Sequence, residues 1–532
     1  MQLRSTRSAS PPVGADTALL AGLAPDGGLY VPVAFPKLDS ALIGIGPGSA
    51  GPRGEDPHGE GPHGEGPRSY ADIAFGTVAP WFGELPRAEL RSAIERAAAT
   101  FDDPRVAPLV LAGDLPVLEL FHGPTLAFKD LALTLFGDLL AMARSQSGMK
   151  EELLVIVATS GDTGSAALSG LEGRDGVKVV ALYPAKGVSE VQRRQMTTRS
   201  ASNCLVLGIE GTFDDAQRTA KGLLSEPGPR RSFKEFGALP CSANSINVGR
   251  LAPQIAYYVH ARRELASLGL LDEEGRFDVA VPSGNFGNVL AARYAKRMGL
   301  PISGFLVATN RNRVLADFLA TGSYDRNRPF HVTTSPSMDI LVSSNLERML
   351  FEATGEDPSR TSALMSELAT KGRYELTQGE RRSFSDFRGA SADDAEAAAE
   401  IRRVFEASGY LLDPHTATAS AALRKSREGQ APLRKSKEGP AASAPPGGAG
   451  QRRNALLVAT ASPFKFAGTV AAALGLGTYR DEFDAIEALS ERARLPVPRQ
   501  LAGLRRAEER HLRVVAPGGV EAAIREWLSG AR

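Results

Sequence analysis

An α/β fold with largely parallel sheets is the architecture the sequence predicts, and three observations predict it. Short, continuously apolar runs, of which residues 153–158 are the clearest, have the length and composition of strands covered on both faces. Helical sequence follows most of them, so strand and helix alternate along the chain. Turns rich in Gly, Ser, Thr and Asn stand between strand and helix, where open α/β sheets bind ligands.

At 532 residues the chain has room for about two to four domains. Its 42% hydrophobic content suits a globular protein with a sizeable core. The 62 Lys and Arg against 61 Asp and Glu give no global charge to recruit nucleic acid or an anionic membrane. Cys204 and Cys241, the only cysteines, exclude a disulfide framework and a cysteine-rich metal site, and no metal is expected. The N-terminus lacks an apolar h-region and no run reaches the ~20 apolar residues of a membrane span. A cytoplasmic, reducing compartment is therefore expected, without signal peptide or membrane partner.

The elements follow in order. Pro25-Asp26-Gly27-Gly28 is turn chemistry between apolar flanks. Residues 46–68 collapse to Gly, Pro, Glu, His and Arg, which bury too little apolar surface to offset ordering entropy, so a flexible insert is expected. Its His58 and His63 make a weak case for a metal. Residues 69–100 read as helical. A strand is expected at 115–121, with Pro116 near its start where a missing N–H is tolerated. Residues 130–143 are apolar nearly all round, the mark of a buried helix. Further strands are expected at 177–183, 204–209, 278–281, 302–308 and 455–459, with a helix at 289–298. A second insert is expected at 423–454, where the basic Leu423–Gly429 sequence recurs at 433–439 before an Ala, Pro and Gly tail. An N-terminal domain (1–105), an α/β core (106–485) and a C-terminal helical segment (486–532) are expected.

Chemistry concentrates in four places. Lys129 ends the apolar approach Phe121–Phe128 and precedes the buried helix. Burial favours the neutral, nucleophilic amine that Schiff-base formation requires. The helix's positive end favours the same form, with Asp130 opposing it in part. Ser283-Gly284-Asn285-Phe286-Gly287-Asn288 is a small-residue turn that would converge backbone N–H groups on a phosphate. It lacks the Lys-Ser/Thr ending of a P-loop, which argues against nucleoside triphosphate hydrolysis. Thr159-Ser160-Gly161-Asp162-Thr163-Gly164 crowds donors around one carboxylate, and Thr460 and Lys465 follow the last core strand. A buried lysine, a phosphate cradle, a donor-rich loop and a strand-end hydroxyl together suit pyridoxal 5′-phosphate.

These segments resemble the threonine synthase family, in the fold type II group of pyridoxal-phosphate enzymes. The resemblance is carried by residues 23–32, 121–130, 158–164, 284–288, Asn244-Ser245-Ile246-Asn247, Asp413-Pro414-His415-Thr416 and 460–466, in the family's order. It implies two α/β lobes with an N-terminal domain, and pyridoxal 5′-phosphate on Lys129. It further implies cofactor contacts from Asp162, Gly284, Asn285, Phe286, Gly287, Asn288 and Thr460. Substrate contacts are expected from Thr159, Ser160, Thr163, Asn247, Arg250 and Lys465. The implied reaction converts O-phospho-L-homoserine and water to L-threonine and phosphate, by a monomer or homodimer. Two departures stand out. Asp162 occupies a place where many relatives have Asn, and Ser462 and Phe464 replace a His and an Ala of the late motif. The alternatives are another fold type II eliminase, such as a threonine dehydratase, or an inactive relative that uses the basic insert as an interaction arm.

Overall fold

The computed structural model describes residues 1–44, 68–428 and 455–530. The first insert, with His58 and His63, lies outside these residues except for Arg68, and so does the second from Gly429 onward. Three short strands, β1 (Gln2–Ser5), β2 (Val13–Gly14) and β3 (Tyr30–Pro32), make an antiparallel sheet near the N-terminus. Next come β4 (Leu109–Ala112), β5 (Leu115–Glu119), β6 (Glu152–Ala158), β7 (Val177–Pro184), β8 (Cys204–Ile209) and β9 (Ala238–Ser242). They are followed by β10 (Phe277–Pro282), β11 (Ile302–Thr309), the small pair β12 (Ser323–Asp325) and β13 (Arg373–Glu375), and β14 (Phe387–Ser391). The last are β15 (Ala455–Ala459) and β16 (Val514–Val515).

Two larger sheets result. One has the order β14-β11-β10-β15-β5-β4 and is parallel except for the β4–β5 hairpin at its edge. The other, β16-β8-β7-β6-β9, is parallel throughout. Their interior strands are buried along nearly their whole length, as parallel strands covered by helices on both faces must be. Among the described residues no helix is long and apolar enough to cross a membrane.

The structure shifts several expectations. The strand expected at 115–121 stops at Glu119. The start of the second insert, 423–428, is the end of a helix, Pro414–Glu428: Leu423 is buried in the core, and Arg424 and Lys425 pair with Glu400 and Glu396. The basic repeat's first copy continues an amphipathic helix, so its charges looked like linker while its apolar side was in use. The segment expected to be helical at 486–532 contains a strand, β16, added to the edge of the second sheet before the helix Val520–Leu528.

One close approach positions the cleft. The helices Asp130–Ser147 and Asp162–Leu171 pack through Gly137 and Gly170. A Cβ on Gly170 would lie 2.0 Å from the Leu133 carbonyl oxygen, and one on Gly137 2.9 Å from that of Gly170. Both helices begin at the same end of this contact, which brings Lys129 and Asp162 together. Gly170→Ala should therefore lower stability by about 1–3 kcal/mol through overpacking. Urea unfolding is the measurement, and activity should fall with the displaced helix.

Candidate active site

A cleft open to solvent lies where the carboxyl ends of β6, β10 and β15 meet. Ala158, Pro282 and Thr460 mark those ends, and residues 283–288 form one wall. The Gly284 carbonyl accepts from Ser343 Oγ at 2.8 Å, and the Asn285 carbonyl from the backbone and side-chain amides of Asn345, each at 3.1 Å. With these carbonyls held by residues 343–345, the loop's N–H edge is left for an anion. Phe286 takes a left-handed backbone (φ 62°), the reversal that makes successive N–H groups converge. No side chain caps the following helix, Gly287–Arg297, so its first N–H groups are free to bind negative charge. Asn288 anchors the wall: its Oδ1 accepts from Tyr257 and Tyr258 hydroxyls at 2.8 and 2.5 Å, while its buried Nδ2 has no partner. The opposite side of Gly284 is closed by the Ser337 carbonyl, 2.5 Å from where a Cβ would stand.

Lys129 sits at the head of the helix Asp130–Ser147 and lines the cleft. Its Nζ is 3.0 Å from Asp162 Oδ2. Asp130, its sequence neighbour, is turned away and accepts from the Thr125 amide (2.8 Å) and hydroxyl (2.6 Å). Burial pushes the Lys129 amine below its ordinary value; Asp162 opposes this, while Lys465 and Arg250 add to it. Asp162 gathers four side chains. Besides Lys129, Oδ2 accepts from Ser337 Oγ at 3.1 Å, and Oδ1 meets Gln192 Nε2 at 2.8 Å and Lys465 Nζ at 2.9 Å. Burial alone would raise this carboxyl, but Lys129, Lys465 and His415 outweigh it and hold the group well below the usual carboxylate range. A lysine at a helix start, a nest of N–H groups and an ionised buried carboxylate therefore share one cleft.

Residues 115–435 match the family described as pyridoxal-phosphate dependent enzyme, and residues 2–44 match the threonine synthase N terminus. The threonine synthase of Pseudomonas aeruginosa is 38% identical over 80% of this chain and 85% of its own length. The chain belongs to the threonine synthase family. The Saccharomyces cerevisiae enzyme is 36% identical over 79% of this chain and 82% of its own. The solved structure of the pyridoxal-phosphate-bound threonine synthase of Brucella melitensis superposes with a TM-score of 0.79 at 35% identity, covering 99% of both chains. As in the rest of the family, the fold is type II and the cofactor is pyridoxal 5′-phosphate. The residues present fit that group. An amine stands in the cleft for its aldehyde, and an uncapped helix end with the unpartnered Asn288 Nδ2 stands ready for its phosphate.

The threonine synthase site collects most of the residues expected from sequence. Lys129, Ser160, Asp162, Thr163, Arg250, Gly284, Asn285, Phe286, Gly287, Asn288 and Thr460 all line the cleft. Three do not. Asn247 is fully buried, caps the helix Val248–Ser267 through the Gly249 amide and donates to the Leu19 and Ser242 carbonyls. Thr159 Oγ1 accepts from the Gly161 and Gly164 amides inside the turn. Lys465 is enclosed, donating to the Thr125 carbonyl at 2.7 Å as well as pairing with Asp162. Each of these side chains satisfies the chain's own backbone or a buried charge, which motif proximity cannot foresee.

Gln192 and Ser337, which hold Asp162, were missed, and so were the roles of His415 and Thr416. His415 lines the cleft, donates from Nδ1 to Asp413 Oδ1 (2.8 Å), and takes the Ser337 amide on Nε2 at 3.2 Å. The neighbouring Thr416 hydroxyl donates to Asp413 and accepts from the Thr460 amide at 3.3 Å. Asp413 thus supports both the Ser337 turn and Thr460. The Asp413-Pro414-His415-Thr416 motif was the available signal. Removing the acceptor at Nε2 by His415→Ala should cut kcat/KM roughly tenfold, the scale of one lost hydrogen bond. His415→Gln, which keeps an acceptor, should recover most of it in steady-state kinetics.

Proposed function

We propose that this site converts O-phospho-L-homoserine and water to L-threonine and phosphate, with Lys129 as its reacting base. The observation that carries the reading is the placement of Lys129 Nζ in the cleft, 3.0 Å from an ionised Asp162 and across from the phosphate cradle. Pyridoxal phosphate, when bound, supplies an electron sink for the charge that develops on the substrate. Gly284 to Asn288 would hold its phosphate, Lys129 would take its aldehyde carbon, and Thr460 would offer a neutral hydroxyl to its ring.

The chain's own residues do the rest. Lys129 Nζ removes protons at the substrate's Cα and Cβ and returns them at Cγ, which becomes the methyl carbon once phosphate has left, and at Cα, a task suited to an amine that burial has made easier to deprotonate. Ser160 and Thr163, at the start of the helix Asp162–Leu171, orient the substrate carboxylate beside that helix's N–H groups. Arg250 takes the phosphate that leaves from Cγ. It lines the cleft, donates to the Ala243 carbonyl at 2.6 Å and keeps a buried, unpartnered Nε. Burial lowers its guanidinium to about 10, which still leaves it charged at neutral pH. Lys465, the other basic residue named from sequence, is too enclosed for this role. Water enters at Cβ through the open mouth of the cleft. The setting that suits this enzyme is a reducing, cytoplasmic one, compatible with two free buried cysteines, and a monomer or homodimer acting without nucleic acid.

Reconstituted wild type should show a visible absorbance band that Lys129→Ala lacks, with activity falling below detection. A wild type that remains colourless with pyridoxal phosphate would contradict the assignment. Arg250→Gln should raise KM for O-phospho-L-homoserine about tenfold or more, the worth of a charged hydrogen bond, and leave cofactor absorbance in place.

A further inference from the structure

Asp162 is met by two ammonium groups, and they are not equivalent. Lys465 Nζ lies 2.9 Å from Oδ1, also donates to the Thr125 carbonyl at 2.7 Å, and its side chain is 0% exposed. Lys129 Nζ lies 3.0 Å from Oδ2 and its side chain keeps 11% exposure on the cleft. Two protonated lysines against one carboxylate leave surplus positive charge where water is scarce. Arg250, from the helix Val248–Ser267, adds a third cation in the wall. The lysine with fewer acceptors and an open path gives up its proton first, and that is Lys129.

We propose that Lys465 is a positioning residue, the fixed counter-ion of Asp162, whose charge selects Lys129 as the amine that releases its proton. The proposal rests on the reading of Lys129 as the reacting lysine. It gives the carboxylate a purpose. With Lys465 permanently paired to it, Asp162 stays ionised whether Lys129 is charged, neutral or joined to the cofactor. Gln192 Nε2 on Oδ1 and Ser337 Oγ on Oδ2 hold the carboxylate plane while the charge on Lys129 changes. Because Lys465 is sealed behind Asp162, a substrate phosphate in the cleft does not reach it. The remaining charged or titratable groups facing this cluster are His415, from the helix Pro414–Glu428, and Asp130, which is held by Thr125. Removing Lys465 takes away a like charge that opposes protonation of Lys129, so the Lys129 proton should be held more tightly.

The test is the pH profile of Lys129 acylation by acetic anhydride, read by peptide mass spectrometry on the full-length chain freed of cofactor. Lys465→Met should move the midpoint up by about one pH unit, the scale of a single nearby charge. Lys465→Arg should leave it near wild type. The double variant Asp162→Asn with Lys465→Met removes the buried pair together, which folds more readily than leaving one charge alone. Its midpoint should drop below that of Lys465→Met, because Lys129 loses the carboxylate in contact with it. Equal midpoints in all variants would overturn the proposal. So would a tenfold rise in KM for O-phospho-L-homoserine in Lys465→Met with the midpoint unmoved, since that pattern marks a substrate contact. Visible absorbance retained by Lys129→Ala would instead overturn the underlying reading of Lys129, whatever the midpoints do.

Discussion

A single buried carboxylate ties four distant parts of the chain to one point. Asp162 takes Lys129, Gln192, Ser337 and Lys465 on its two oxygens, and each of them sits on a different element. An ionised group in such a place is tolerable only with full compensation, because an uncompensated buried charge costs several kcal/mol. The arrangement is therefore self-enforcing. Displacing any partner exposes the others to that cost, and Lys129 is held by the same constraint that holds the fold. The Gly137–Gly170 contact serves this end, since without close helix packing Lys129 and Asp162 would not share a cleft.

The second organising element is Asp413, fully buried at the start of its helix. It reaches the cleft only through others: by His415 to the amide of Ser337, and by Thr416 to the amide of Thr460. Ser337 in turn touches Asp162 and covers Gly284. The walls that carry Thr460, Gly284 and Lys129 are thus braced against one another by hydrogen bonds among buried groups, where each bond is strengthened by the low dielectric.

The interior of the fold was legible in the sequence because interior strands carry a strong signal. β6, β7, β8, β10, β11 and β15 are predominantly apolar and appear within two residues of the expected bounds. The strands that went unread lie mostly at edges. β9 contains Pro240, β14 reads Phe-Arg-Gly-Ala-Ser, and β16 has two residues, so each owes its strand state to a neighbour rather than to its own pattern. The site divides in a similar way. Backbone-built features, the cradle and the lysine approach, announce themselves as motifs because small residues at fixed spacing have few other uses. Side-chain assignments did not: Asn247, Thr159 and Lys465 lie in or beside the right motifs yet serve buried backbone or charge. The departure at position 162, a carboxylate, is paired by Lys465, a residue 303 positions away in sequence and 2.9 Å away in space.

The central claim is that this cleft, with Lys129 at its base, eliminates phosphate from one substrate and adds water to it in the same turnover. The most direct measurement is a product balance for the reconstituted enzyme supplied with O-phospho-L-homoserine. Inorganic phosphate and L-threonine appearing in a one-to-one ratio is the result expected. Phosphate release with 2-ketobutyrate as the product, or no phosphate release while L-threonine is deaminated, would contradict it.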